Sequence, residues 1–183
     1  MYVFFLQRIN TKKNLRDDAL IELLYSTGLR VSEVANLKIG DINFEKSEIK
    51  ILGKGNKQRV VIFNNKSKEK IIKYLKNDKR LISLNTGALF QNKFKQSLSP
   101  RSIQRLLKKY LNFSGINSKY STHTLRHTFA THLLEGGADI KVIQQLLGHS
   151  SPETTKIYTH LSSPALKNVY NNSHPRSFSK IKN

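Results

Sequence analysis

Cysteine and tryptophan are absent from this 183-residue chain, and acidic residues are scarce: 12 Asp and Glu stand against 32 Lys and Arg. Without cysteine there is no disulfide, no thiolate metal site and no cysteine nucleophile, a composition that suits a reducing compartment. Long apolar runs are missing too. Val3 to Leu6 is too short for a membrane span or a signal-peptide core, and no basic segment precedes it. The expected location is therefore cytoplasmic, on a bacterial or archaeal nucleoid or in an organelle, with no membrane partner. No acidic pair at metal-binding spacing stands out, and neither a metal nor another cofactor is expected. What the chain has in excess is positive charge. A formal net of +20 implies a polyanionic partner, with nucleic acid the leading candidate. The length suits one domain with a sizeable core.

The pattern along the chain predicts a mainly helical α+β domain with one small antiparallel sheet. Residues 1–15 read as a lead-in. From Arg16, Leu20, Leu23 and Leu24 recur at helical spacing until Gly28, where a short helix "VSEVANL" takes over, so Arg30 falls at a helix–turn–helix corner. "EIKIL" and "QRVVIF" are β-rich runs joined by "GKGNK", which predicts a hairpin with Lys54 at its tip. A helix follows from about Ser67, with Ile71, Ile72 and Leu75 inward. "SPRSIQRLLKKYLNFSG" places Ile103, Leu106, Leu107, Tyr110 and Leu111 on one face behind a Ser-Pro start, and Gly115 ends it. "STHTLRHTFATHLLEGG" reads as a helix capped by Ser121 or Thr122, and "DIKVIQQLLG" as another capped by Asp139. Two further Ser-Pro starts open "SPETTKIYTHL" and "SPALKNVY". The domain is expected over 16–170, with a loose basic tail over 171–183.

Several side chains could carry chemistry, and each has a plainer reading. His123 and Arg126, three apart, project to the same side of a helix, which alone suggests a surface hydrogen bond. His123 and His127 have i,i+4 ligand spacing, but "HTLRH" lacks the acidic second position of a zinc-protease helix and puts an arginine between the histidines. "GKGNK" fails both phosphate-loop templates because it leads into a strand, and by itself is a basic turn. Arg30 could simply form a salt bridge at a helix end.

Taken together and in order, "GLRVSEV", "GKGNKQR", "HTLRHTFATHLL", "LLGH" and "IYTH" resemble the catalytic segments of the tyrosine recombinase (phage integrase) family, most closely its Xer-like branch. The resemblance covers roughly 16–176, including "HPR" at 174–176. It implies the α-rich catalytic fold of that family and site-specific recombination, by DNA cutting and rejoining through a 3′-phosphotyrosyl intermediate, without metal or ATP. The family's two arginines fall on Arg30 and Arg126, its hairpin lysine on Lys54, its helix histidine on His123, its second histidine on His149 and its nucleophile on Tyr158. Implied partners are double-stranded DNA and a second copy, or a related recombinase, in a tetrameric synapse. Only about 15 residues precede the catalytic region, whereas members of this branch carry an N-terminal helical domain. The alternative is accordingly a catalytically defective DNA-binding remnant or a partner-dependent accessory. An RNA-binding module is disfavoured, since no aromatic RNP-type strand occurs.

The residue types suit the implied reaction. Attack on a phosphodiester adds a second negative charge, which two planar guanidiniums can hold in place of a metal ion. A tyrosine of reference pKa about 10 wants a base, for which His123 is the candidate. Lys54 would protonate the departing 5′ oxygen, with Lys57 next in line, and His149 would donate to the phosphate.

Overall fold

The computed structural model describes residues 14–52, 58–78, 87–115, 120–148, 162–175 and 177. Its first helix, α1 (Leu15–Thr27), starts where Asn14 accepts from the Asp17 amide at 3.2 Å, and stops at Gly28, whose amide closes on the Leu24 carbonyl at φ +60°. Glycine is needed at that turn twice over. The left-handed backbone disfavours a side chain, and a Cβ there would lie 2.6 Å from Phe129 and 2.9 Å from Leu147. Helix α2 (Val31–Asn36) follows at once.

The sheet is antiparallel in the order β1 (Ile42–Asn43), β2 (Glu48–Leu52), β3 (Gln58–Ile62). The register pairs Ile49 with Val61 and Ile51 with Arg59, and alternation turns Ile49 and Ile51 into the core. Strand β1 is too short to register as a pattern in the sequence. Next comes α3 (Asn65–Asn77), which begins before Ser67 because Asn64 supplies the cap. Its buried face is Ile71, Tyr74 and Leu75, with Ile72 only half-buried. Helix α4 (Pro100–Phe113), capped by Ser99, buries Ile103, Leu107 and Leu111 and leaves Leu106 and Tyr110 half-buried against the core. α5 (Thr122–Glu135) is capped by Ser121, and α6 (Ile140–Leu147) by Asp139.

The last described helix, α7 (Ser163–Ser173), corrects the expected tail. It runs past Asn171, and His174 behind it is fully buried, its ring stacked on Tyr170 at 4.9 Å. Tyr170 donates to the Ser26 carbonyl at 2.9 Å, so the end of α7 is pinned to α1. Within the segment expected to be loose, Asn171 and Asn172 are exposed on the helix, but Ser173 and His174 are buried. The Ser-Pro start at 151–152 lies outside the described residues.

Two apolar clusters meet along α5. One gathers α1, α2, the sheet, α3, α4 and Leu125; the other gathers Ile62, Phe129, Leu133, α6 and α7. Removing a fully buried ring such as Phe129 would cost about 3–5 kcal/mol. Several acidic residues are spent on partners within the fold. Asp17 pairs with Arg16, Asp18 and Glu22 with Lys70, and Asp41 and Asp139 cap helical turns. With those negative charges neutralised locally, the surplus of lysine and arginine is left to the surface.

Candidate active site

Arg126 projects from the second turn of α5 toward two helix ends. Its Nη1 donates to the Gly28 carbonyl at 2.6 Å and its Nη2 to the Leu147 carbonyl at 2.7 Å. The last carbonyls of a helix have no partner of their own and carry its negative dipole end, so a cation bridging the ends of α1 and α6 is held by charge as well as by hydrogen bonds. Burial, then the nearby Arg30 charge, pull the Arg126 pKa down to about 10, with Arg59 adding to the fall and Glu33 opposing it. At neutral pH the guanidinium remains cationic.

Arg30 caps α2 and is largely exposed. Its amide donates to Glu33 Oε2 at 2.8 Å, and its Nη1 lies 3.2 Å from Glu33 Oε1. The salt bridge that was the plainer reading of Arg30 is therefore present, beside Arg126 and without excluding a second partner. Glu33 is also held by Arg59 of β3, whose Nη2 is 2.9 Å from Oε1 and 3.0 Å from Oε2. Arg30 and Arg59 share the one carboxylate, and with Arg126 nearby three guanidiniums against Glu33 leave two net positive charges in this corner.

His123 stands exposed on the first turn of α5, one turn before Arg126 and on its side of the helix. His127 is exposed on the same helix, and among the described residues no group of three His, Asp or Glu is placed to hold a metal ion. Lys54, His149 and Tyr158 lie outside the described residues. Their chain neighbours are described: Lys54 belongs to the link between β2 and β3, and His149 follows Gly148, which closes α6 at φ +67°.

The tyrosines among the described residues are occupied, while Tyr2 lies outside them. Tyr25, Tyr74 and Tyr170 are buried. Tyr110 donates to Asp17 at 2.9 Å, and burial followed by that hydrogen bond push its pKa up to about 12. Tyr120 packs against the first cluster.

Glu33 and Arg59 are the participants that sequence reading missed. Glu33 had a signal, since an acid three residues into a helix commonly reaches back to the cap amide. Arg59 closes the segment "GKGNKQR" that helped carry the resemblance, but by itself a basic residue after a basic turn reads as solvated surface.

An α-rich domain with a three-stranded sheet and an arginine pair at the meeting of two helix ends defines the class. The chain belongs to the phage integrase family, whose model matches residues 3–164. It is similar to tyrosine recombinase XerC of Thermodesulfovibrio yellowstonii, 47% identical over 167 residues, covering 88% of this chain and 56% of that protein. Tyrosine recombinase XerD of Corynebacterium glutamicum is 45% identical over 170 residues, covering 92% and 56%. The chain thus spans little more than half the length of these curated relatives. Among solved structures it resembles the XerA recombinase, with TM-score 0.71 and 36% identity over 93% of this chain and 62% of that one. It also resembles XerH bound to its difH substrate before cleavage, with TM-score 0.70 and 31% identity over 90% and 50%. Among the described residues no helix is long and apolar enough to cross a membrane.

Proposed function

We propose that this chain carries the strand-cleaving and rejoining chemistry of a Xer-like site-specific DNA recombinase. The observation that carries the reading is the arginine corner: Arg126 fixed by two backbone carbonyls, with Arg30 beside it. A scissile phosphate seated there meets two guanidiniums, which hold its non-bridging oxygens as the charge rises from one to two. The Tyr158 oxygen attacks phosphorus while its proton passes to His123. The bond from phosphorus to the 5′ oxygen breaks, and Lys54 supplies the proton that oxygen needs. His149 donates to the phosphate. The resulting 3′-phosphotyrosyl bond keeps the energy of the broken link, so a 5′ hydroxyl from another strand reverses the step without ATP.

The engagement of Tyr25, Tyr74, Tyr110, Tyr120 and Tyr170 elsewhere supports Tyr158 as the nucleophile. The named substrate of the XerH structure supports duplex DNA as the substrate here, bound by two or more copies, or by this chain and a related recombinase, in a tetrameric synapse. We infer a cytoplasmic location, or its organellar equivalent, from that action on DNA.

The test is a pool of nicked duplexes with a randomised core, in which a lost trinucleotide traps the covalent product. The expected result is an adduct that maps to Tyr158, survives excess EDTA and is absent from Tyr158→Phe, which still binds DNA. Binding should fall about 10³ to 10⁵-fold between roughly 50 and 200 mM salt. Salt-sensitive binding without any adduct would replace this reading by the non-catalytic DNA-binding one.

A further inference from the structure

A carboxylate among catalytic arginines poses a physical difficulty. Glu33 has a side chain only 11% exposed, and an arginine that spends donors and charge on it has less of both for a phosphate. A poorly hydrated charge must be compensated nearby, so Glu33 will draw on whatever cation is within reach. Two are. Arg30 reaches it with one nitrogen at 3.2 Å, whereas Arg59 touches both oxygens at 2.9 and 3.0 Å. The more enclosed cation therefore holds the carboxylate more closely, and the more exposed one holds it weakly.

We propose that Arg59 is a positioning residue that takes up the charge of Glu33 and so leaves Arg30 free to turn to the scissile phosphate. This rests on the reading of Arg30 given above. Arg59 is well placed to stay where it is. Its side chain is 15% exposed, and it lies flat against Gly148: a Cβ there would sit 2.7 Å from its Nε and 2.8 Å from its Cζ. It thereby touches three pieces of the site at once: the strand leaving the Lys54 turn, the helix opened by Arg30, and the helix end that precedes His149. In its absence the cation that remains paired with Glu33 among the described residues is Arg30. The amide of Glu33→Gln still accepts from the Arg30 backbone but no longer competes for its charge.

The consequence is a double-mutant cycle with a definite sign. On the nicked duplex pool at saturating protein, Arg59→Met should slow adduct formation about tenfold or more, while DNA affinity falls far less. Adding Glu33→Gln should restore the rate to within about threefold of Glu33→Gln alone. Nitrogen-15 spectra of the arginine side chains without DNA should show slowed rotation of the Arg30 guanidinium in Arg59→Met and its recovery in the double variant. Arg59→Lys, which keeps a charge beside Glu33, should retain most of the rate, and it carries the cycle if Arg59→Met proves unfolded by circular dichroism. Additive losses in the cycle, a parental rate for Arg59→Met, or a folded Arg59→Lys as inactive as Arg30→Ala would each overturn the proposal. Parental cleavage by Arg30→Ala would instead overturn the reading of Arg30 itself, and the spectra would still decide whether Arg59 governs its pairing with Glu33.

Discussion

Arg126 bonds the carbonyl of Gly28, two residues before Arg30, but the surroundings of the two arginines differ in kind. Arg126 is held by main-chain carbonyls at the ends of α1 and α6, groups that cannot move without unwinding a helix. Arg30 is held by the side chain of Glu33, which rotamer changes can release, and Arg30 is far more exposed. One guanidinium is part of the scaffold and the other is exchangeable. A site that must bind phosphate, let it react and release it has a use for both, since a fixed donor sets the geometry and a movable one follows the growing charge.

The sharpest way to break this comparison is to remove each arginine. Both Arg126→Ala and Arg30→Ala should lose about 10² to 10³ or more in cleavage rate, as donors to a developing oxyanion do. Only Arg126→Ala should also lose stability, by about 2–4 kcal/mol, because two carbonyls lose their donor. Arg30→Ala should melt within about 0.5 kcal/mol of the parent, because the Arg30 side chain is exposed and Glu33 keeps its pairing with Arg59. Chemical denaturation of both variants checks this, and equal destabilisation would erase the distinction.

A somewhat smaller effect separates charge stabilisation from proton donation. Lys54→Ala should slow cleavage of ordinary DNA about 10²-fold or more and recover on a substrate whose bridging 5′ oxygen is sulfur, since a thiolate leaves without a proton. Neither arginine variant should recover, because the phosphate charge must be held whichever atom departs. Equal impairment of Lys54→Ala on both substrates would move the acid to Lys57 or His149.

Gly28→Ala tests the scaffold without touching a reacting group. Its Cβ would collide with Phe129 and Leu147 at a backbone angle that favours glycine, for an expected loss of about 1–3 kcal/mol. The same shift would displace the carbonyl that Arg126 binds, so cleavage should fall by more than the unfolded fraction accounts for. A variant that loses stability alone would show that the carbonyl tolerates movement.

The smallest effect lies farther along α5. His132 bonds through Nδ1 to the Tyr25 hydroxyl at 2.8 Å, and burial holds its pKa below the ordinary histidine value. The folded state therefore binds a proton less readily than the unfolded chain. Stability should be full above the unfolded pKa, about 6.5, and should decline as pH falls through it toward the lower folded value. Thermal melts from pH 7.5 to 5.5 should show the decline, and His132→Gln should flatten part of it. Cleavage variants at Arg126, on the same helix but in the other environment, should leave that slope unchanged.

Much of this was legible in the chain itself. The caps Ser99, Ser121 and Asp139, the stops at Gly28 and Gly148, and the two main strands are local signals, whereas the cap at Asn14 falls in the stretch that reads as a lead-in. His123 and Arg126 share a helix face for the same reason, because helical spacing alone puts them there. The order of five short segments was sufficient to suggest the family. Tertiary structure decided the rest. Nothing local says that Arg126 will find the carbonyls of Gly28 and Leu147, that Arg59 will reach Glu33 across from a strand, or that Tyr170 will donate to the Ser26 carbonyl. Each of these contacts joins residues far apart in sequence, and only the packing of α1, α2, α5, α6, α7 and β3 together brings their donors and acceptors within hydrogen-bonding distance.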